Sequence, residues 1–240
     1  MSNPVCGIKP VWLWSVLKLI FTLTYGYVTF IWDMTLIPGT DICVFTGAAS
    51  YWFGGKYNWI CQAVDYSTDP EAINILSISW WFYLSKFIDF FDSIFFVLRK
   101  KYDHLSPLHV IHHSTLPFFS WFGPKYAGGG NTTFGGMWNS LVHLVMYSYY
   151  FLAACGPHVQ KHLWWKKYLT TMQMIQFMVV ILHGMVAIVH PTCGFSIGLN
   201  VILMFNGCLY WILFMRFYKK AYRKVEKKPL LDENCNTKLD

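Results

Sequence analysis

Three histidines at spacing i, i+3, i+4, His109, His112 and His113, stack their imidazoles on one side of a helix. A neutral imidazole titrates near neutral pH, so such a group can act as a nucleophile, pass protons or bind a metal. Three further sets of polar residues recur at helical spacing inside apolar runs. Lys86, Asp89, Asp92 and Ser93 share one face, Asn139, His143, Tyr147 and Tyr150 share another, and Thr170, Gln173 and Gln176 form a third. An ionisable group at the centre of a bilayer costs a few kcal/mol on insertion scales, so each of these asks for a partner or a role. Lys86 with Asp89 is expected to form an ion pair, and Asp92 is better placed to orient an imidazole. A lone residue such as His183 reads more simply as a packing or hydrogen-bonding group.

The elements that must hold these residues are membrane helices. The 240 residues are 55% hydrophobic and 20% aromatic but only 13% charged, and mean hydropathy is positive at +0.36, a profile of spanning rather than soluble chains. Spans are predicted near 11–31, 73–98, 107–123, 133–153, 168–190 and 196–218, each near the roughly 20 residues a bilayer requires. The expected fold is an all-α integral membrane bundle of six transmembrane helices, or seven, in a single polytopic domain over 1–240. No cleavable signal peptide is evident, because the first apolar run is span-length and lacks a clear small-residue cleavage site. The first run carries Lys18, and the apolar stretch from Ile42 to Phe53 is too short for an ordinary span, so it reads as re-entrant or as half of a broken helix.

The net charge of +7 comes from basic residues at span ends, which points to membrane topology and away from nucleic acid. Arg99, Lys100 and Lys101, then Lys161, Lys166 and Lys167, then the basic tail over 219–240 fall on one face when spans alternate, and that face is predicted to be cytosolic. Counted inward from it, Asp92, His112, His143 and Gln176 lie on the order of 8–15 Å deep, in one layer. Cys43, Cys61 and Cys193 then fall on the oxidising side. A Cys61 to Cys193 bridge between the first and last loops of that side is a candidate, but the sequence does not fix the pairing. The sequon at Asn131 lies in a short loop against the membrane and is expected to be unused.

Three chemistries compete for the polar layer. Clusters of the H-x-x-H-H type supply iron ligands in membrane desaturases and hydroxylases, but such di-iron sites want further paired H-x-x-x-H boxes, and here the other histidines are scattered. A transporter would use the aspartates and histidines as a proton relay, but no inverted repeat relates the two halves. The third is acyl chemistry at a histidine, for which Cys155, beside Gly156-Pro157 and away from the layer, is the rival nucleophile.

Four motifs in order favour the third. Leu108-His109-Val-Ile-His112-His113 is flanked by Lys86-Phe-Ile-Asp89-Phe-Phe-Asp92-Ser93, Asn139-Ser-Leu-Val-His143-Leu-Val-Met146-Tyr147-Ser-Tyr149-Tyr150 and Thr170-Thr-Met-Gln173-Met-Ile-Gln176-Phe177. On these motifs, and over about Trp59 to Tyr222, the chain resembles the ELO very-long-chain fatty acid elongases. It departs from them at Asp89, where the family usually has Glu, and at Ser93, where it usually has Thr. At the front, the family pattern places two ordinary spans before the segment matched by Cys61 through Tyr66, whereas one clear span precedes it here.

The resemblance implies condensation of a long-chain acyl-CoA with malonyl-CoA to 3-oxoacyl-CoA, CO2 and CoA, through an acyl-histidine. It implies no bound metal or cofactor, only the two CoA thioesters as substrates. His112 is assigned as the nucleophile and His143 as the proton carrier, with His109, His113, Asp92 and Asn139 fixing tautomers and stabilising the oxyanion. Lys86, Asp89, Tyr147, Tyr150, Gln173 and Gln176, with the collar of Arg99, Lys100, Lys101, Lys166 and Lys167, are assigned to substrate, the collar to CoA phosphates. The bundle is expected to enclose an acyl-chain tunnel. An endoplasmic reticulum location, the reductase, dehydratase and enoyl reductase of the elongation cycle as partners, and a homodimer are further expectations of this kind.

Overall fold

The computed structural model describes residues 37–98, 100, 102, 105–190 and 192–222, with the side chains of Ile37, Asp92, Phe95 and Phe96 excepted. The predicted span 11–31 with Lys18, together with Arg99, Lys101, His104 and the tail from 223 onward, lies outside the described residues. Within them the chain is helical and has no strand: α1 (Ile37–Trp52), α2 (Pro70–Ile88), α3 (Phe90–Leu98), α4 (Pro107–Ser120), α5 (Phe122–Tyr126), α6 (Thr132–Ala154), α7 (Pro157–Gln160), α8 (Lys166–Val189) and α9 (Ile197–Tyr222).

The long helices stand side by side in a closed ring. Going round it, α1 packs on α2, α2 on α4, α4 on α9, α9 on α8, α8 on α6, and α6 returns to α1. The ring order differs from the chain order because α9 enters between α4 and α8. The α8–α9 seam is tight enough to need small residues: a Cβ at Gly207 would lie 2.9 Å from Ile181 Cγ1, and one at Gly184 2.9 Å from Met204 Cγ. Close backbone approach through small side chains is how helices gain contact in lipid, where apolar burial alone gives little advantage.

Two helices among the described residues, α8 and α9, are long and apolar enough to cross a membrane by length and composition. α6 has the length, 23 residues, but Asn139, Ser140, His143, Tyr147 and Tyr150 dilute its hydropathy. The run predicted as one span over 73–98 is interrupted at Asp89, although Asp89 N still donates to Ser85 O at 2.8 Å. The predicted span 107–123 is helical only to Ser120, three residues after the internal Pro117, and resumes as the short α5. At its other end Ser106 caps α4 by accepting from His109 N at 3.2 Å, with Pro107 in the first turn. The short apolar stretch near residue 42 is part of α1, described over Ile37–Trp52.

One end of the ring is capped by the loop from 53 to 69. Cys61 and Cys193 form a disulfide, with Cα atoms 5.6 Å apart, Gln62 N donates to Asn131 Oδ1 at 2.7 Å, and Asn131 N donates to Gln62 O at 3.1 Å. Gly130 makes this approach feasible: its φ is +61°, and a Cβ there would sit 2.9 Å from Gln62 O. Asn131 is 3% exposed and engaged with Gln62, so its sequon is closed to a glycosyl donor in the folded chain. His183 stacks on Phe134 with centroids 3.9 Å apart and shares a hydrogen bond with Trp59 O at 3.1 Å, a packing residue of this cap. Trp52 completes it, fully buried against Phe134, Trp59 and Tyr57 and donating to Thr133 at 3.0 Å.

Candidate active site

The polar faces of α4, α6 and α8 meet around a cavity of about 380 Å³ toward the end of the ring away from the 53–69 loop. His109, His112, His113, Asn139, His143, Tyr150, Lys166, Gln173 and Gln176 all line it. α4 supplies the three imidazoles within about one turn: His109 and His113 lie with ring centroids 4.2 Å apart, and His112 and His113 with centroids 5.1 Å apart. Ser93 Oγ and His109 Nε2 share a hydrogen at 3.0 Å, tying α3 to the first of them. His112 is buried against α9, its ring 4.6 Å from that of Tyr210 and 5.9 Å from that of Phe214. The Tyr210 hydroxyl is in turn fixed by Thr115 Oγ1 at 3.0 Å.

Behind the cavity wall lies a buried charge cluster. Lys86 Nζ donates to Asp89 Oδ2 at 2.9 Å, with both side chains essentially inaccessible. The same Asp89 oxygen is 3.6 Å from His143 Nδ1, and Asp41 Oδ2 on α1 is 3.9 Å from that nitrogen. An ammonium and a carboxylate removed from water need each other, and the one-residue interruption at Asp89 falls where its side chain meets Lys86 and His143.

Several assigned residues stand elsewhere. Lys86, Asp89 and Tyr147 are buried but do not line the cavity. Lys100 is exposed beyond α3, and Lys167 lies over the Tyr218 ring at 6.0 Å. The Asp92 side chain, Arg99 and Lys101 lie outside the described residues; it is Asp89 and Asp41 whose carboxylates face the His143 ring. Cys155 is exposed at the end of α6 and off the cavity. Sequence reasoning missed Asp41, which is 0% exposed, because the short apolar stretch begins one residue later, at Ile42. An acid bordering a half-length apolar run was the available signal. It also missed Tyr210 and Phe214, aromatic residues in an apolar helix with no periodic signal to set them apart.

A second cavity, of about 140 Å³ and mainly apolar in its walls, lies toward the capped end and is lined by α1, α2, α4, α5, α6, α8 and α9. Asn139, Gln176 and Phe177 line both cavities. A histidine-lined chamber and a mainly apolar slot thus lie side by side within one helical ring, with these three residues between them.

Fold and site together define an all-helical membrane protein with a histidine chamber inside the bundle. The model of the GNS1/SUR4 family matches residues 9–230. Over 185 residues the chain is 49% identical to very long chain fatty acid elongase 7 of Drosophila melanogaster, a stretch covering 77% of this chain and 56% of that one. It is 44% identical over 187 residues to very long chain fatty acid elongase 7 of Rattus norvegicus, covering 78% and 66%, and 40% identical over 201 residues to very long chain fatty acid elongase 1 of Mus musculus, covering 83% and 71%. The chain belongs to the ELO (GNS1/SUR4) family. It spans about half to two thirds of the length of curated relatives it matches.

Proposed function

We propose that this chain is a very-long-chain fatty acid elongase that condenses a long-chain acyl-CoA with malonyl-CoA to give 3-oxoacyl-CoA. The observation that carries this reading is the adjacency of a histidine chamber and an apolar slot, both lined by Asn139, Gln176 and Phe177. A thioester carbonyl can lie among imidazoles while its hydrocarbon tail stays dry. Membership in the family supports the same reading.

In the proposed sequence His112 attacks the acyl carbonyl, forming an acyl-imidazole and expelling CoA, which takes up a proton. Malonyl-CoA then loses CO2, and the carbanion equivalent attacks the acyl carbon, releasing the imidazole and the elongated 3-oxoacyl-CoA. His143 carries protons, while His109, His113, Asp92 and Asn139 fix tautomers and meet the oxyanion. The apolar ring keeps water from quenching the carbanion. Lys166 at the chamber, with the adjacent Lys167 and the basic run of Arg99, Lys100 and Lys101, suits CoA phosphates. The proposed setting is the endoplasmic reticulum membrane with a cytosolic C-terminus, next to the reductase, dehydratase and enoyl reductase that complete the cycle.

The test is malonyl-CoA-dependent CoA release in detergent with a panel of acyl-CoAs, followed by intact mass spectrometry after acyl-CoA alone. The expected result is a mass increase equal to the acyl group, absent in His112→Ala. A folded sample that neither releases CoA nor gains mass overturns the reading.

A further inference from the structure

We infer that Asp41 on α1 is a positioning residue that holds His143 ready to carry a proton. For its catalytic consequence this rests on the elongase reading of His143; for its geometry it does not. Asp41 is completely buried, and its Oδ2 lies 3.9 Å from His143 Nδ1. That nitrogen is itself inaccessible and makes no hydrogen bond to a neighbouring residue, while the ring forms part of the cavity wall. Catalytic hydrogen bonds are often long before substrate closes them, and the carboxylates of Asp89 and Asp41 stand 3.6 and 3.9 Å from Nδ1, with the Lys86 ammonium bound to the first of them.

A charge count explains why a second carboxylate is there. Among the described residues, the ionisable groups facing His143 are Asp41 on α1, Lys86 and Asp89 on α2, and His112 and His113 on α4. Lys86 and Asp89 neutralise one another through their direct bond. Asp41 is then a surplus negative charge in a site with no water-exposed surface of its own, and a lone buried charge is expensive. One proton shared between Asp41 and His143 restores neutrality. Seated at Nδ1, it leaves Nε2 to exchange a proton with the reacting groups in the chamber. Lys86 with Asp89 alone would leave His143 no counter-charge on becoming an imidazolium; Asp41 supplies it.

The first arm of the test is steady-state elongation by Asp41→Asn and Asp41→Glu beside the wild-type protein. The near-isosteric Asn is expected to lower kcat at least tenfold with KM within twofold, and Glu, which keeps the charge, to recover most of it. Asn turning over like the wild type overturns the inference, and so does equal impairment in both variants, which marks simple packing. The second arm uses ring-¹⁵N-histidine-labelled wild-type protein, with the His143 signals assigned by their loss in His143→Gln. A protonated Nδ1 is expected, and an unprotonated one overturns the inference even where the Asp41 variants fail to assemble. A folded wild-type protein that elongates no acyl-CoA sinks the elongase reading, and the nitrogen spectrum still decides the role of Asp41.

Discussion

The charge cluster behind the chamber sets what single residues can tolerate. Lys86 is held by one carboxylate at 2.9 Å and faces the ring of Phe82 at 4.8 Å, so Lys86→Met strands the Asp89 and Asp41 carboxylates in a dry interior. Loss of one partner of a buried pair costs about 3–5 kcal/mol, and thermal unfolding in detergent should show it as a large fall in midpoint; an unchanged midpoint would mean that water reaches the cluster. Much of this site is legible in the amino-acid sequence, because ionisable residues inside apolar runs stand out by their cost. His109, His112, His113, Asn139, His143 and Gln176 do share one cavity wall. What periodicity does not convey is which residue faces which. Lys86 and Asp89 carry the same helical signal as the histidines but stand behind them, and Asp41 borders an apolar run whose preceding residues read as a loop.

At the level of elements, the tightest constraint is the α8–α9 seam. Gly207→Leu places a branched side chain where even a Cβ is 2.9 Å from Ile181, and overpacking of this kind costs about 1–3 kcal/mol. The expected outcome is a lower thermal midpoint together with loosened packing at the wall shared by both cavities; retention of the wild-type midpoint would show that the seam can slide. Helix positions were largely legible, with α6, α8 and α9 each ending within four residues of the predicted spans. The failures have local causes. The long run over 73–98 is interrupted at the single residue Asp89, which keeps helical dihedrals and its bond to Ser85 O. Pro117 lies close to the end of α4, and α1 is longer than its apolar stretch because Gly39, Thr40 and Asp41 continue the helix without adding hydropathy.

Across the whole molecule, the polar chamber and the apolar slot lie along the ring, and the cap closes the far end. Leu199, near the start of α9, lines the slot on the capped side. Leu199→Trp should therefore shift the acyl-CoA preference toward shorter chains in the elongation assay while leaving acyl transfer to His112 intact; an unchanged profile would place the hydrocarbon tail elsewhere. The cap itself rests on a disulfide joining residues 132 positions apart. Replacing both Cys61 and Cys193 with Ser should cost about 2–5 kcal/mol, read as a lowered midpoint of the oxidised protein that reductant no longer changes. The ring order carries a further consequence, for biosynthesis. α4 and α8 meet the rest of the barrel on one side each, and α9 is the stave between them. Of the ring helices α9 is synthesised last, so until translation passes residue 222 the described ring lacks the helix whose Tyr210 and Phe214 pack against His112.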